Sequence, residues 1–331
     1  MPIMIKTTKF KLDKYDGKLL FELDKDSQIA STTLAKRVGR SRQAVEYRIN
    51  RLVKEGIITG FQTSINPHKL GYKIYKTYFK LRNIPNEKQK LLEHLRKAGI
   101  VYWMGECSGS WDLIVALFVK DDYEFFNFKN ELTSKFTSLI VGEDEQIILD
   151  AKQYPKRYFT EKNSEPVIFA GKIVQNEISD LDFKILSHIV NNSRISIVEL
   201  SSKVKANIKT VNSRLEILEK KGIILQYRIG IDLNKLGLEL YKAIITLDRY
   251  TPEDEKKLFS YVSNIPNINY FIRNLGQIEL EFVAENYQEY YKIIEDLKKE
   301  FPNVIRTADF VLMITDEWTP GFENLWKTSK Y

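Results

Sequence analysis

Cys107 is the only cysteine, and His68, His94 and His188 are the only histidines, in 331 residues. One thiol cannot close a disulfide within the chain. So few soft ligands leave little material for a structural zinc site or for histidine acid–base chemistry. The spacings of common catalytic and nucleotide sites are missing too: there is no GxxxxGKS or GxxxxGKT, no strand-linked GxGxxG, no HExxH, no GxSxG and no CxxC. No apolar run approaches the roughly 18 to 20 residues a membrane span needs. The opening stretch, MPIMIKTTKFKLDKYDGK, lacks the apolar core and small-residue cleavage site of a signal peptide. The expectation is a cytoplasmic, non-enzymatic protein without metal or cofactor.

What is present is ordinary core material, 43% hydrophobic and 29% charged residues, too apolar for general disorder. The length exceeds that at which a single core keeps growing, so two or more domains are expected. A net charge of +7 permits an anionic partner, but solubility alone produces an excess this mild, so position must decide.

The chain contains itself twice. Leu52 and Leu218 stand 166 residues apart, and the same offset pairs Asp16 with Asp182, Ile29 with Ile195, Val45 with Val211, Arg48 with Arg214, Gly56 with Gly222 and Tyr75 with Tyr241. A period this long marks a duplicated module rather than a solenoid.

In the first copy, Leu12, Tyr15, Leu19, Leu20 and Leu23 form one apolar face of a helix that Asp13 can cap. A second helix starts at Ser31 or Thr32 and stops at Gly39; a third runs from Ser41 to Gly56 and buries Val45, Ile49 and Leu52. Two short helices around VGRS have the dimensions of a helix-turn-helix. The next stretch, IITGFQTSINPHKLGYKIYKTYFKLR, reads as a wing and then the first strand of a new sheet. The alternating elements after it give β-α-β-β-α-β. The second copy repeats the order, its β-α-β-β-α-β running from about Leu240 to Met313. The fold expected is α+β: two winged helix-turn-helix domains (10–62 and 176–228), each followed by a ferredoxin-like domain (63–152 and 229–318), with a linker at 153–175 and a tail at 319–331.

The stretch LDKYDGKLLFELDKDSQIASTTLAKRVGRSRQAVEYRINRLVKEGIITGFQTSINPHKLG, with GECSGSWDLIVALFV further on, resembles the Lrp/AsnC regulators of bacteria and archaea. ISDLDFKIL, RISIVELSSKV, RLEILEKKGIILQY and IDLNKLGLELY carry the likeness in the second copy. The resemblance implies a DNA-binding domain joined to a ferredoxin-like (RAM-type) domain that dimerises through its sheet and, in many members, binds an amino acid or related small molecule. A tandem copy departs from the usual single one: the sheets can pair within the chain or between chains.

On this reading the third helix meets double-stranded DNA through Arg40, Ser41, Arg42, Gln43, Tyr47, Asn50 and Arg51: Arg for phosphates, Gln, Asn or Arg for base edges, Tyr for groove packing. The competing reading is a solvated basic face. Arg48, nearer the apolar stripe, can equally be structural. The second copy offers Lys205, Lys209 and Asn212 but has Ala206, Ile208 and Ile217 where Arg40, Arg42 and Arg51 stand.

In GECSGSWDL, Gly105 and Gly109 permit close backbone approach, Ser108 offers a hydroxyl and Asp112 can accept an ammonium group, which suits an amino-acid-like effector. The alternative is a glycine-bearing turn whose Asp binds local amides. Cys107 is read as a small turn residue rather than a redox sensor. Phe125, Phe126, Phe128, Tyr287, Tyr290 and Tyr291 are read as core or interface. The function expected is sequence-specific transcriptional regulation. The alternatives are an architectural interaction protein, or an enzyme like the sirohaem decarboxylases, which share the Lrp-like architecture. His68 in the first hairpin favours the enzyme; the replacement Asp232-Leu233-Asn234 in the second argues against it.

Overall fold

A computed structural model describes residues 9–318 apart from 161 and 163; the expected tail, 319–331, lies outside them. Helices α1 (Lys14–Lys25), α2 (Ser31–Val38) and α3 (Arg42–Lys54) form the first helical unit, and α6 (Asp180–Ile189), α7 (Ile197–Val204) and α8 (Ile208–Lys220) the second. Local chemistry sets their ends. Asp13 and Ser179, equivalent positions, each form a capping box at the start of α1 and α6. Ser41 and Asn207 cap α3 and α8 by accepting an N3 amide. Gly39 ends α2 in the left-handed region at φ 76°, and Lys205 takes the same conformation after α7 at φ 55° despite its Cβ. Leu19, Leu20, Leu34, Val45 and Leu52 fill the core of the first unit.

The wing lies beside α3 as expected and is shared between the modules. Strand β1 (Ile58–Ile65) does not fold back on its own module; it pairs antiparallel with β7 (Ile224–Ile231), its equivalent in the second. Gln62 opposes Arg228, the residue 166 positions on, so a pseudo-two-fold axis passes through the ribbon. On the same axis Ser27 Oγ and Ser193 Oγ, also 166 apart, lie 2.6 Å from each other. Gln28 donates to the Ser193 carbonyl and its equivalent, Arg194, to the Ser27 carbonyl.

The sheets pair the same way. The first ferredoxin-like unit comprises β2 (Lys73–Leu81), α4 (Pro85–Lys97), β3 (Val101–Gly109), β4 (Leu113–Val119), α5 (Asp122–Lys135) and β5 (Ile140–Gln153). After the short β6 (Val167–Ala170) and the second helical unit come β7 and the one-turn α9 (Leu233–Leu236). Then follow β8 (Glu239–Leu247), α10 (Pro252–Ser263), β9 (Ile268–Asn274), β10 (Ile278–Ala284), α11 (Tyr287–Glu300), β11 (Ile305–Met313) and the edge strand β12 (Glu317–Trp318). Each unit has the order fourth-first-third-second, and the units join at both ends, β5 to β9 and β11 to β3, so the combined sheet closes on itself. The sequence left intrachain and interchain pairing open; the chain pairs with itself.

Strand alternation separates two faces. Tyr75, Phe79, Leu113, Val115 and Leu117 face outward under α4 and α5, and Tyr241, Ala243, Ile245, Leu280 and Phe282 pack with α10 and α11. Phe125 and Tyr290 are buried there, whereas Phe126, Tyr287 and Tyr291 are exposed. Ile74, Tyr78, Ile114, Ala116, Phe118, Ile148, Ile244 and Ile272 face the closed interior, with Tyr102 stacked on Phe118. Charge is buried there too: the Glu279 carboxylate accepts from Lys76 Nζ at 2.9 and 3.0 Å, Lys242 Nζ at 2.7 Å and Tyr78 Oη at 2.5 Å. Lys242 also reaches Glu281. Burial opposes ionisation of Glu279, but the two ammonium groups outweigh it and hold the carboxyl well below the usual carboxylate range.

Segment 153–175, read from its polar centre as a linker, is partly built into the fold. Its strand β6 pairs with β5, and its start forms a strut between modules. Arg157, 2% exposed, donates to the Ser263 and Ile265 carbonyls at the end of α10, while the Phe159 carbonyl lies against Gly17 of α1. Beside it the fully buried Asp24 accepts from Arg228 at 2.6 and 3.1 Å and from the Lys156 backbone N–H at 3.1 Å. These contacts are long-range and leave no local pattern in the sequence.

Removing one partner of a buried ion pair leaves the others uncompensated. Asp24→Ala is therefore expected to destabilise the chain by about 3–5 kcal/mol, read as a lowered urea midpoint, whereas Lys36→Ala on the exposed side of α2 should stay within about 0.5 kcal/mol.

Candidate nucleic-acid interface

Helix α3 is held to its module by one side and exposed on the other. Val45, Ile49 and Leu52 are buried, and the anchoring side is completed by ions. Arg48 reaches Asp16 at 2.6 Å and Asp13 at 2.8 Å, and Arg51 reaches the other oxygen of Asp16 at 2.6 Å. Asp16 is 1% exposed, so its charge is balanced where it cannot be hydrated. Arg51, expected on the DNA side, is thus turned toward α1, over the ring of Phe10. Arg48 takes the structural role left open for it. The sequence carried the signal, because Asp16 and Asp182 are preserved at the same offset as Arg48 and Arg214. Indeed Arg214 grips Asp182 through two nitrogens at 2.7 and 2.5 Å, a bidentate pair.

The outward side of α3 presents Arg42, Gln43, Tyr47 and Asn50, all exposed, with Ser41 at the cap and Arg40 just before it. Tyr47 is 68% exposed. Arg42 Nε is 2.8 Å from Glu46, an exposed i,i+4 pair that costs little to open. The Arg40 guanidinium lies 3.4 Å above the ring of Tyr15, which orients it. Helix α8 presents a poorer surface: Ile208, 44% exposed, in the place of Arg42, then Lys209, Asn212, Ser213 and the acidic Glu216 in the place of Asn50. Lys205 is exposed at the preceding turn.

Of the four residues expected to hold an effector, the two glycines pack against the second module. A Cβ on Gly105 would fall 2.3 Å from Met313, and Gly109, at φ 116°, would meet the Phe310 carbonyl at 2.4 Å. Ser108 is exposed, though its backbone lies in register with Leu312 of β11. Asp112 accepts from the Leu81 amide at 2.8 Å and from Lys80 at 3.3 Å. The glycines serve strand-to-strand closure, a long-range contact that GECSGSWD alone does not reveal. Burial pushes the Cys107 thiol up to about 12, so it is not a reactive thiolate at neutral pH. His68 is buried and donates through Nδ1 to the Gly171 carbonyl at 2.5 Å, while Asp232 caps α9. Among the described residues no group of His, Cys, Asp and Glu is arranged to hold a metal, and no helix is long and apolar enough to cross a membrane.

The family model described as winged helix-turn-helix DNA-binding matches residues 12–59 and 178–224, one match per module. An uncharacterised HTH-type transcriptional regulator of Pyrococcus horikoshii is 30% identical over 146 residues, covering 44% of this chain and 91% of that protein. The HTH-type transcriptional regulator LrpC of Bacillus subtilis is 32% identical over 100 residues, 30% of this chain and 68% of its own. The chain belongs to the Lrp/AsnC family. It is a DNA-binding transcriptional regulator, in which two copies of the Lrp-type module are joined in tandem. The whole-chain architecture is similar to the crystal structure of the siroheme decarboxylase NirDL, with a TM-score of 0.62 over 95% of this chain and 97% of that one. At 13% identity that likeness concerns the fold.

Within this Lrp/AsnC chain the Arg214–Asp182 pair anchors α8 as Arg48 anchors α3. Burial raises the Asp182 pKa, but hydrogen bonds from Arg214 and Ser179 outweigh it and leave the pKa below its ordinary 3.8. Its stabilising contribution is therefore complete above about pH 4 and fades as pH falls through the lowered folded-state value. Arg214→Ala should lower the urea midpoint clearly at pH 7, and the gap between parent and variant should narrow progressively as pH falls below about 4.

Proposed function

We propose that the two recognition helices are unequal, with α3 reading bases and α8 contributing mainly backbone contacts. In this reading Arg42, Gln43, Tyr47 and Asn50 enter the major groove, and Arg40 and the Ser41 cap contact flanking phosphates. Arg51 positions α3 through Asp16. Lys205, Lys209 and Asn212 touch phosphate from α8, where Glu216 opposes closer approach. The observation that carries the proposal is the split on α3 itself. Arg48 and Arg51 are spent on a buried carboxylate, while an uninterrupted polar row with an uncovered tyrosine faces outward. The reading includes no catalytic role: His68 of the first hairpin is buried and bonded to the Gly171 carbonyl, and Asn234 stands in its place in the second. Modulation by an amino-acid-like molecule would act at the β3–β4 turn, where Ser108 is exposed and the half-buried Asp112 lies beside Lys80.

Genomic fragments selected on the protein supply the DNA for a titration over rising salt. Arg42→Ala and Tyr47→Ala are expected to weaken binding about tenfold or more, and Asn50→Ala to relax sequence preference. Lys209→Ala should cost less and act equally on all sequences, lowering the slope of log K against log salt by about one. Unchanged binding in Arg42→Ala and Tyr47→Ala, with loss in Lys209→Ala, would reverse the assignment of the two helices. A protein without sequence preference or salt dependence would be a scaffold.

A further inference from the structure

The closed sheet holds a charge pattern that the recognition of DNA does not use. Lys76 of β2 and Lys242 of β8 are equivalent, 166 residues apart, and both point into the interior, 4% and 1% exposed. Their neighbours on the third strand of each module are not alike. Tyr78 and Lys76 lie opposite Ile114 and Ala116 on β4, whereas Ile244 and Lys242 lie opposite Glu279 and Glu281 on β10. The first module thus brings a lysine and no acid from these strands, and the second brings a lysine and two glutamates. Asp144 and Asp309, opposite Tyr78 and Ile244, lie at the rim, half-buried and exposed respectively, where water screens them, so they stand outside the buried set.

Together the modules are balanced, with two lysines against two glutamates. Glu279 is fully buried and bonds to Lys76 of the opposite module as well as to Lys242 of its own. Two first modules would enclose two lysines and no partner from these positions; two second modules would enclose two lysines and four glutamates. Buried charge is tolerated only when paired, so either like-with-like pairing leaves uncompensated charge in the interior.

We propose that this interior is a pairing code: the sheet of the first module accepts the sheet of a second module and rejects another copy of itself. An exposed strand edge in an Lrp-type sheet is open to any partner with the same edge, and the hydrogen-bonding register alone does not discriminate between the two modules. The buried charges supply the discrimination. They direct a newly made chain to close on itself, or to exchange only complementary modules with another chain.

A test on the full-length chain follows from the register. Ile148 of β5 opposes Asn274, and Cys107 of β3 opposes Met313. In a pair of first modules from two chains, Ile148 would take the place of Met313 and lie opposite Cys107 of the other copy. Ile148→Cys therefore reports like-with-like pairing as a disulfide between chains. The reporter chain is refolded under oxidising conditions at high concentration, once with its native charges and once with Lys76→Met, Lys242→Met, Glu279→Ile and Glu281→Ala. The tether favours closure within the chain in both, so their difference isolates the charge. The uncharged interior, which apolar replacement should leave folded, is expected to give about tenfold more cross-linked dimer. Separately, Glu279→Ile with Glu281→Ala should lower the folding equilibrium about a hundredfold or more, and adding Lys76→Met with Lys242→Met should restore it. Equal cross-linking with and without the four charges would overturn the proposal. So would a Glu279→Ile/Glu281→Ala chain as stable as its parent.

Discussion

Each module leaves its outer strands with unpaired backbone donors and acceptors, and the other module is what satisfies them. Strand β1 has β7, β5 has β9, and β3 has β11. An open sheet edge invites association, and closure removes the edge altogether. The remaining features follow from that constraint. The interior is dry enough for Lys76, Lys242 and Glu279 to act as a matched set, the ribbon at Gln62 and Arg228 fixes the axis, and the two helical units sit on either side of it. One continuous chain thereby builds what two identical subunits would otherwise have to assemble.

A covalent pair need not stay symmetric. Asp24 is matched by Val190 and Arg228 by Gln62, so the buried Asp24–Arg228 pair exists on one side of the axis only. The strut from Tyr154 to Phe159 likewise ties α1 to the end of α10, linking the first helical unit to the second sheet. The anchors beneath the helices are conserved between the copies, Arg48 with Asp16 and Arg214 with Asp182, while the surfaces above them have diverged. Duplication preserved how a recognition helix is held and freed what it displays.

Much of the fold was legible because its signals are local. Capping residues Asp13, Ser41 and Ser179, the turn glycine Gly39, and the alternation along Ile74, Lys76 and Tyr78 each act over a few residues. The 166-residue offset writes the signals of the helical units twice. Local signals misled where long-range contacts decide. The segment 153–175 looked like an unstructured linker but holds β6 and the buried Arg157, GECSGSWD looked like a ligand cradle but closes against β11, and Arg51 looked outward but pairs with Asp16. A charge on a helix has no direction in the sequence until the buried group it answers is located.

By itself the sequence determined that there are two modules, which elements each contains, which helix carries the polar row of Arg42, Gln43, Tyr47 and Asn50, and which family they resemble. Periodicity, caps and repetition are properties of neighbouring residues and survive being read in one dimension. Only the tertiary structure decided that the modules pair with each other and in which register. Only there does a lysine at 76 acquire a glutamate at 279, because backbone edges and buried charges find their complements across some two hundred residues, where no local pattern reaches.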